Sequence, residues 1–317
     1  MKILGHTNLK FFGQATKLFV ILLVNFFFTI ITFGLYYPWA KAKLFQYFYS
    51  ETEFHGSRFV FHGTGKEMFR GYIKVFILFI VLFGSMKVFE LIGEPIFLLI
   101  ATIVFYCVFL SLIPLAIHGV MRYRLSRTSW RGIHFGYRGD LKELYIIYIK
   151  GVLATILTLG FYYPWLTVSL RKYVLAHTRF GNIEFKFDGE GSELLGLHIS
   201  GIFLSIITIY IYIPWYLISI KNFELKNVKV IQQGQSFSVQ STMRGGSFFG
   251  LNMVNFLILI STLGLGMPFV MIRNMKYYLT NIHFNNLIDV DAIVQTEADY
   301  KDATGEDLSD ALDLNFF

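Results

Sequence analysis

Six side chains set within apolar runs are the first places to look for chemistry: Lys87, Glu90, Lys150 and the amides of Asn25, Asn252 and Asn255. A polar or ionisable group inside a bilayer is a functional candidate by default. Lys87 and Glu90 are three apart on one helical face near the end of an apolar run, a spacing that suits an ion pair or a snorkelling lysine. Lys150 lies close enough to the start of its run to snorkel as well. The three asparagines are of the kind that hydrogen-bond between membrane helices. His118 and His198 are isolated, and His55 and His62 bracket a short segment with no third ligand nearby, whereas a zinc site needs three or four converging ligands. No nucleophile elbow, HExxH, phosphate-binding loop or dinucleotide fingerprint occurs in a suitable context. Asp289 and Asp291 belong to an acidic run, which reads as solvated charge. The expectation is a non-enzymatic protein with no catalytic residue, no cofactor and no metal.

The elements that would hold these groups are membrane elements. The chain is 55% hydrophobic, 18% aromatic and only 15% charged, with mean hydropathy +0.54, against about 25% charged in soluble domains. Cys107 stands alone in an apolar run, so no disulfide framework exists. The net charge of +7 divides unevenly: residues 285–317 carry −8 and residues 1–284 carry +15. Cations flanking apolar spans reflect topology and anionic headgroups, not nucleic acid. Ala40-Lys41-Ala42 resembles a signal cleavage site, but the uncharged run before it exceeds the roughly 7 to 15 residues of a signal core. It reads as an uncleaved span.

Six segments meet the need for about 20 apolar residues: 18–39, 73–92, 95–117, 144–166, 194–218 and 248–272. The expected fold is mainly α and polytopic, with about six transmembrane helices, short interfacial helices and β-hairpin-like loops. The hairpin-like loops are HGSRFVFHG at 55–63, RGIHFGYRG at 131–139 and GNIEFKFDG at 181–189, whose alternation between glycines suggests strands. Residues 1–284 form the expected membrane domain and 285–317 an acidic, partly disordered tail.

Stacking the chain on Pro38, Pro114, Pro164, Pro214 and Pro268 exposes a degenerate internal repeat. Nine residues on stand Tyr47, Tyr123, Tyr173, Phe223 and Tyr277; at plus fourteen stand Thr52, Thr128 and Thr178; at plus twenty-five stand Gly63, Gly139 and Gly189. Four residues before proline, where its ring would strike a helical carbonyl, stand Gly34, Gly160 and Gly264. Thr32, Thr158, Thr208 and Thr262 come two residues earlier and would bond carbonyls freed by a kink. Trp39, Trp165 and Trp215 follow proline where the apolar run ends, the interfacial position tryptophan favours. The expected device is a kinked helix, an aromatic anchor and a basic helix along the headgroups.

The stretch ILTLGFYYPWLTVSLRKYVLAHTRFGNIEFKFDG, together with TSWRGIHFGYRGDLKELY, resembles the YjgN-like family of bacterial inner-membrane proteins of unknown function. The resemblance covers most of residues 10–284 and implies a multi-pass protein of the bacterial inner membrane. It carries over no ligand or catalytic residue. The copy around Pro114 departs from the pattern in lacking the Thr, Gly and Trp, and the copy around Pro214 has Tyr210 for Gly.

With six crossings, basic residues in alternate loops number 15 on one side and 10 on the other, a weak bias. The same basic exit follows nearly every span, although consecutive crossings leave on opposite sides. The repeats are therefore either inverted or re-entrant. Two functions follow: transport or permeation of a small solute, ion or lipid, or a non-catalytic scaffold that grips lipid and recruits a partner through its acidic tail. Membrane lipids are the expected partners, with a homo-oligomer or a soluble protein at the tail as the protein candidates.

Overall fold

The chain reverses direction where the sequence suggests a bend. The computed structural model describes residues 7–284 and 288–297. Ten helices lie in these residues, in five consecutive pairs: α1 (Ala15–Ile31) with α2 (Tyr37–Ser50), α3 (Gly65–Ile92) with α4 (Pro95–Ser126), α5 (Leu141–Leu157) with α6 (Tyr163–Ala176), α7 (Gly191–Ile207) with α8 (Ile213–Lys226), and α9 (Gly245–Ser261) with α10 (Met267–Thr280).

Four pairs share one reversal. Gly34, Gly160 and Gly264 have φ of 89°, 97° and 88°, a region that glycine enters without steric cost. The threonine six before proline caps the turn from its centre. In the first pair Thr32 Oγ1 donates to the Phe28 carbonyl at 2.7 Å and accepts from the Tyr36 N–H at 2.9 Å. Thr158, Thr208 and Thr262 do the same. Every N–H from Thr32 to Tyr37 finds an acceptor within the turn, and the other three turns repeat the pattern.

The expected kink is thus a full reversal. Pro38, Pro164, Pro214 and Pro268 open the second helix of each pair, where the missing N–H costs nothing because it has no intrahelical acceptor. Pro114 alone sits inside a helix. The tryptophans after proline are also placed differently from a simple interfacial anchor. A Cβ on Gly65, Gly191 or Gly245 would collide with Trp39, Trp165 or Trp215 respectively. Each indole packs on the first residue of the next pair, which explains why that residue is glycine.

Helix length divides the pairs. α3 and α4 have 28 and 32 residues, about 42 and 48 Å at 1.5 Å per residue, more than the roughly 30 Å hydrocarbon core. The other first helices have 17 residues and their partners 14, about 25 and 21 Å. Two of the six apolar segments are therefore helices long enough to cross a membrane.

The strands join one sheet instead of lying as separate loops. β1 (Thr7–Asn8), β2 (Lys10–Phe11), β3 (Thr52–Phe54), β4 (Ser57–Phe61), β5 (Thr128–Trp130), β6 (Ile133–Tyr137), β7 (Thr178–Phe180), β8 (Ile183–Phe187), β9 (Val228–Gln232), β10 (Gln235–Ser241) and β11 (Ile282–Phe284) form an antiparallel meander. β1 pairs with β11 and β2 pairs with β3. Only Leu9 separates β1 from β2, so this one stretch bridges both ends of the meander and closes the sheet into a ring. Closure removes the free edges that would otherwise template aggregation. The helices close likewise, since Leu18 of α1 and Ile272 of α10 share a core with Phe11 and Tyr47.

Aromatic side chains fill the ring. Trp130 is fully buried, donates its indole N–H to the Phe54 and Ser57 carbonyls, and packs near Phe180. Phe54, Ile183, Val230, Phe237 and Val239 complete the cluster, together with Ile288 and Ile293. The described part of the acidic tail thus docks against the sheet. Gln232 clasps the N–H and carbonyl of Asp289, and Asn182 clasps the Ala292 carbonyl and the Val294 N–H. Ion pairs Arg131–Asp291 (3.2 Å) and Arg138–Glu297 (2.7 Å) fasten the strap. Residues 298–317 lie outside the described residues.

Candidate functional site

Three features of the helix pairs bear on function: their tips, their bases and the grooves between their helices. The tips are apolar. Phe33, Leu159, Ile209 and Leu263 stand at the apices with 94%, 92%, 82% and 93% exposure and φ near 50°, a conformation that costs a non-glycine residue of order 1 kcal/mol. Leu35, Phe161, Tyr210, Ile211 and Leu265 flank them, also exposed. Water would penalise such a tip, whereas hydrocarbon accepts it because the turn leaves no N–H unpaired.

The aromatic nine residues after proline sits at the base. Tyr47, at the end of α2, accepts from the Gln14 N–H and donates to its carbonyl, both at 2.7 Å. Tyr173 donates to the Asp140 carbonyl, and Tyr277 bonds both backbone groups of Arg244. Tyr123 donates to the Thr64 carbonyl. Each phenol ties the end of the second helix to the residue that begins the first, so both helices of a pair start and finish at the sheet. Phe223 lacks the hydroxyl and only packs. The Thr at plus fourteen bonds back into its helix end. A Cβ on the Gly at plus twenty-five would meet the aromatic two residues earlier: Phe61, Tyr137 or Phe187. Gly13 meets Phe11 in the same way, so the N-terminal stretch supplies the second strand of the fifth pair's hairpin. The sequence contains that signal, because LKFFGQ aligns with FVFHGT and FKFDGE, but the proline anchors begin after it.

Of the polar candidates, Lys87 and Glu90 form an exposed ion pair at 2.6 Å beside the α3–α4 turn. Asn255 is buried and bonds Asn274 and Arg273 of its partner helix. Asn25, thirteen residues before its proline as Asn255 is before Pro268, donates to the Ala40 carbonyl, and its own oxygen lacks a partner. Gly151 and Gly201 occupy the same offset and let Leu166 and Tyr216 approach. This position is where the two helices cross closely. Asn252 is half-buried, with no cluster around it. His198 contacts the Tyr216 hydroxyl at 2.6 Å. His62 bonds Ser129 and lies beside His134. Among the described residues no group of three His, Cys, Asp or Glu could hold a metal.

At the sheet, His55 in the β3–β4 turn is pushed below the ordinary histidine value by burial, then by Arg131, with Asp291 opposing. Burial also raises the Tyr137 phenol.

The structure adds two grooves that the sequence motifs do not mark. One, of about 490 Å3, runs between α5 and α6 past Lys150, Tyr162, Ser169 and Lys172 to Glu143 and His177. The other, of about 500 Å3, lies between α7, α8 and β10 past Glu193, Ser219, Asn222 and Lys226. Their linings correspond at a constant offset of fifty residues: Glu143 with Glu193, Ser169 with Ser219, Lys172 with Asn222. The two sequences align at this offset, but a groove between helices needs their pairing to be known.

No solved structure matches the chain. The inner membrane protein YjgN of Salmonella typhimurium strain LT2 is 36% identical over 144 residues, covering 44% of this chain and 33% of that protein. The protein of the same name from Escherichia coli K12 is 32% identical over 133 residues, covering 42% and 31%. The matched stretch spans about a third of these relatives. Residues 6–189 and 222–311 match the family described as bacterial protein of unknown function (DUF898), and the chain belongs to that family.

Proposed function

We propose that the protein is a non-catalytic inner-membrane scaffold that holds lipid, built from five copies of one helix-pair unit on a closed β ring. Four pairs dip into the membrane from the sheet side and return, and α3–α4 crosses it. The apolar, internally hydrogen-bonded tips carry this reading, because a loop at membrane depth must pair its own backbone. The names of the curated relatives support the inner membrane as the location. Helices that start and finish at one sheet also account for the weak charge bias: the basic second helices all point their ends toward one side.

Transport or permeation of a small solute, ion or lipid through six crossings is the alternative. It requires the tips to reach the far surface and a path through the ring. The packed cluster around Trp130 and Phe180 favours the scaffold.

Cysteine accessibility tests the reading. With Cys107→Ala as background, Glu94→Cys should react with an impermeant thiol reagent from the side opposite Lys186→Cys, and Leu159→Cys and Leu263→Cys from neither. Labelling of Leu159→Cys from the Glu94 side would establish a full crossing and overturn the one-sided arrangement.

A further inference from the structure

Lys150 is the tenth residue of α5, about 13 Å along the helix from the sheet end. No side chain among the described residues forms an ion pair or hydrogen bond with it, and the same holds for Lys172. An ammonium at that depth is stabilised either by reaching the interface or by an anion brought to it. Lys172 lies about 6 Å from the sheet end of the antiparallel α6. Both cations line the same α5–α6 groove, together with Tyr162 and Ser169, whose hydroxyls can donate hydrogen bonds. Glu143 lies at the mouth of the groove, 4.0 Å from His177.

The α7–α8 pair serves as an internal control. Fifty residues on from the two lysines stand Ser200 and Asn222, and the cation that lines its groove, Lys226, pairs with Glu193 at 3.5 Å. Two unpaired cations lining one groove are a feature of α5–α6.

We infer that the α5–α6 groove binds the phosphate group of an anionic phospholipid, with Lys150 and Lys172 facing the phosphate oxygens and Tyr162 and Ser169 positioned to donate hydrogen bonds. The acyl chains would run along the exposed apolar face of α5, past Ile149, Leu153 and Ile156. The lipid assignment rests on the one-sided embedding proposed above; the phosphate chemistry does not.

Native mass spectrometry of the full-length protein in detergent, titrated with phosphatidylglycerol, phosphatidylethanolamine or phosphatidylcholine, tests the inference. Lys150→Gln with Lys172→Gln should weaken phosphatidylglycerol binding roughly 30-fold, the ratio expected for two basic residues at an anionic lipid surface. Lys150→Arg with Lys172→Arg should retain most of it, and Lys226→Gln should leave it unchanged. Binding by the double glutamine variant equal to the parent, at equal thermal stability, would overturn the site. Displacement by millimolar inorganic phosphate without preference among the three lipids would overturn the lipid assignment. Because binding is read in detergent, an accessible Leu159→Cys with intact phosphatidylglycerol binding would sink the embedding alone.

Discussion

The α3–α4 and α5–α6 pairs start from the same sheet and end in opposite ways. The first closes over Gly93 and Glu94, with the Lys87–Glu90 ion pair beside the turn. The second closes over Leu159 and Phe161 with every turn N–H bonded internally. A charged turn on helices of about 42 to 48 Å belongs in water beyond the bilayer, and an apolar turn on helices of about 21 to 25 Å belongs in hydrocarbon. The contrast teaches that pairs of similar apolar character differ in helix length and in what their turns expose, a charged end in one and an apolar, internally bonded end in the other.

A charge at each tip is the sharpest way to break the comparison. Leu159→Lys or Leu263→Asp should lower membrane insertion yield or stability by about 3 kcal/mol if the tips lie at membrane depth, whereas Glu94→Lys should change either by less than about 0.5 kcal/mol. Equal effects at both tips would place both turns in one environment. Overpacking the contacts between pairs comes next. Gly191→Leu, which drives a side chain into Trp165, should cost about 1 to 3 kcal/mol in thermal unfolding, and Gly84→Leu in α3, with open space around it, should cost little.

The phenol ties give a smaller effect. Tyr173→Phe should cost about 1 kcal/mol by loss of its bond to the Asp140 carbonyl, making that base resemble the one where Phe223 already stands. In the opposite direction, Tyr210 holds φ of 65° where three pairs have glycine, and Tyr210→Gly should stabilise the protein by about 1 kcal/mol. Smallest is a local pH effect on the β3–β4 turn. The depressed His55 pKa means that the stability favouring neutral histidine is present above the ordinary value near 6.5 and is lost as pH falls through the folded value. Amide exchange of the turn around His55 should therefore quicken on acidification, with His55→Gln flattening the response.

Much of this fold was legible before any coordinates. The aromatic, threonine and glycine offsets marked the tie, the helix end and the strand exit, since each reflects contacts that recur at a fixed sequence distance. Asn25 and Asn255 read as interhelical hydrogen-bonders, although only the structure places them at the close crossing of each pair. The conversion of kinks into reversals was not legible. Gly-x-x-x-Pro suits a bend and a turn equally, and the choice depends on whether Tyr47 reaches Gln14, thirty-three residues away.

Composition and periodicity determined by themselves that this chain is apolar and mainly helical, because those properties follow from how each residue meets its solvent. Tertiary structure alone decided that the pairs return to one sheet, that the N-terminal strand closes that sheet into a ring, and that Lys150 and Lys172 share a groove. The physical reason is common to all three. Ring closure and helix pairing are satisfied by backbone hydrogen bonds and packing between residues far apart in the chain, and no local pattern encodes which distant partner will complete them.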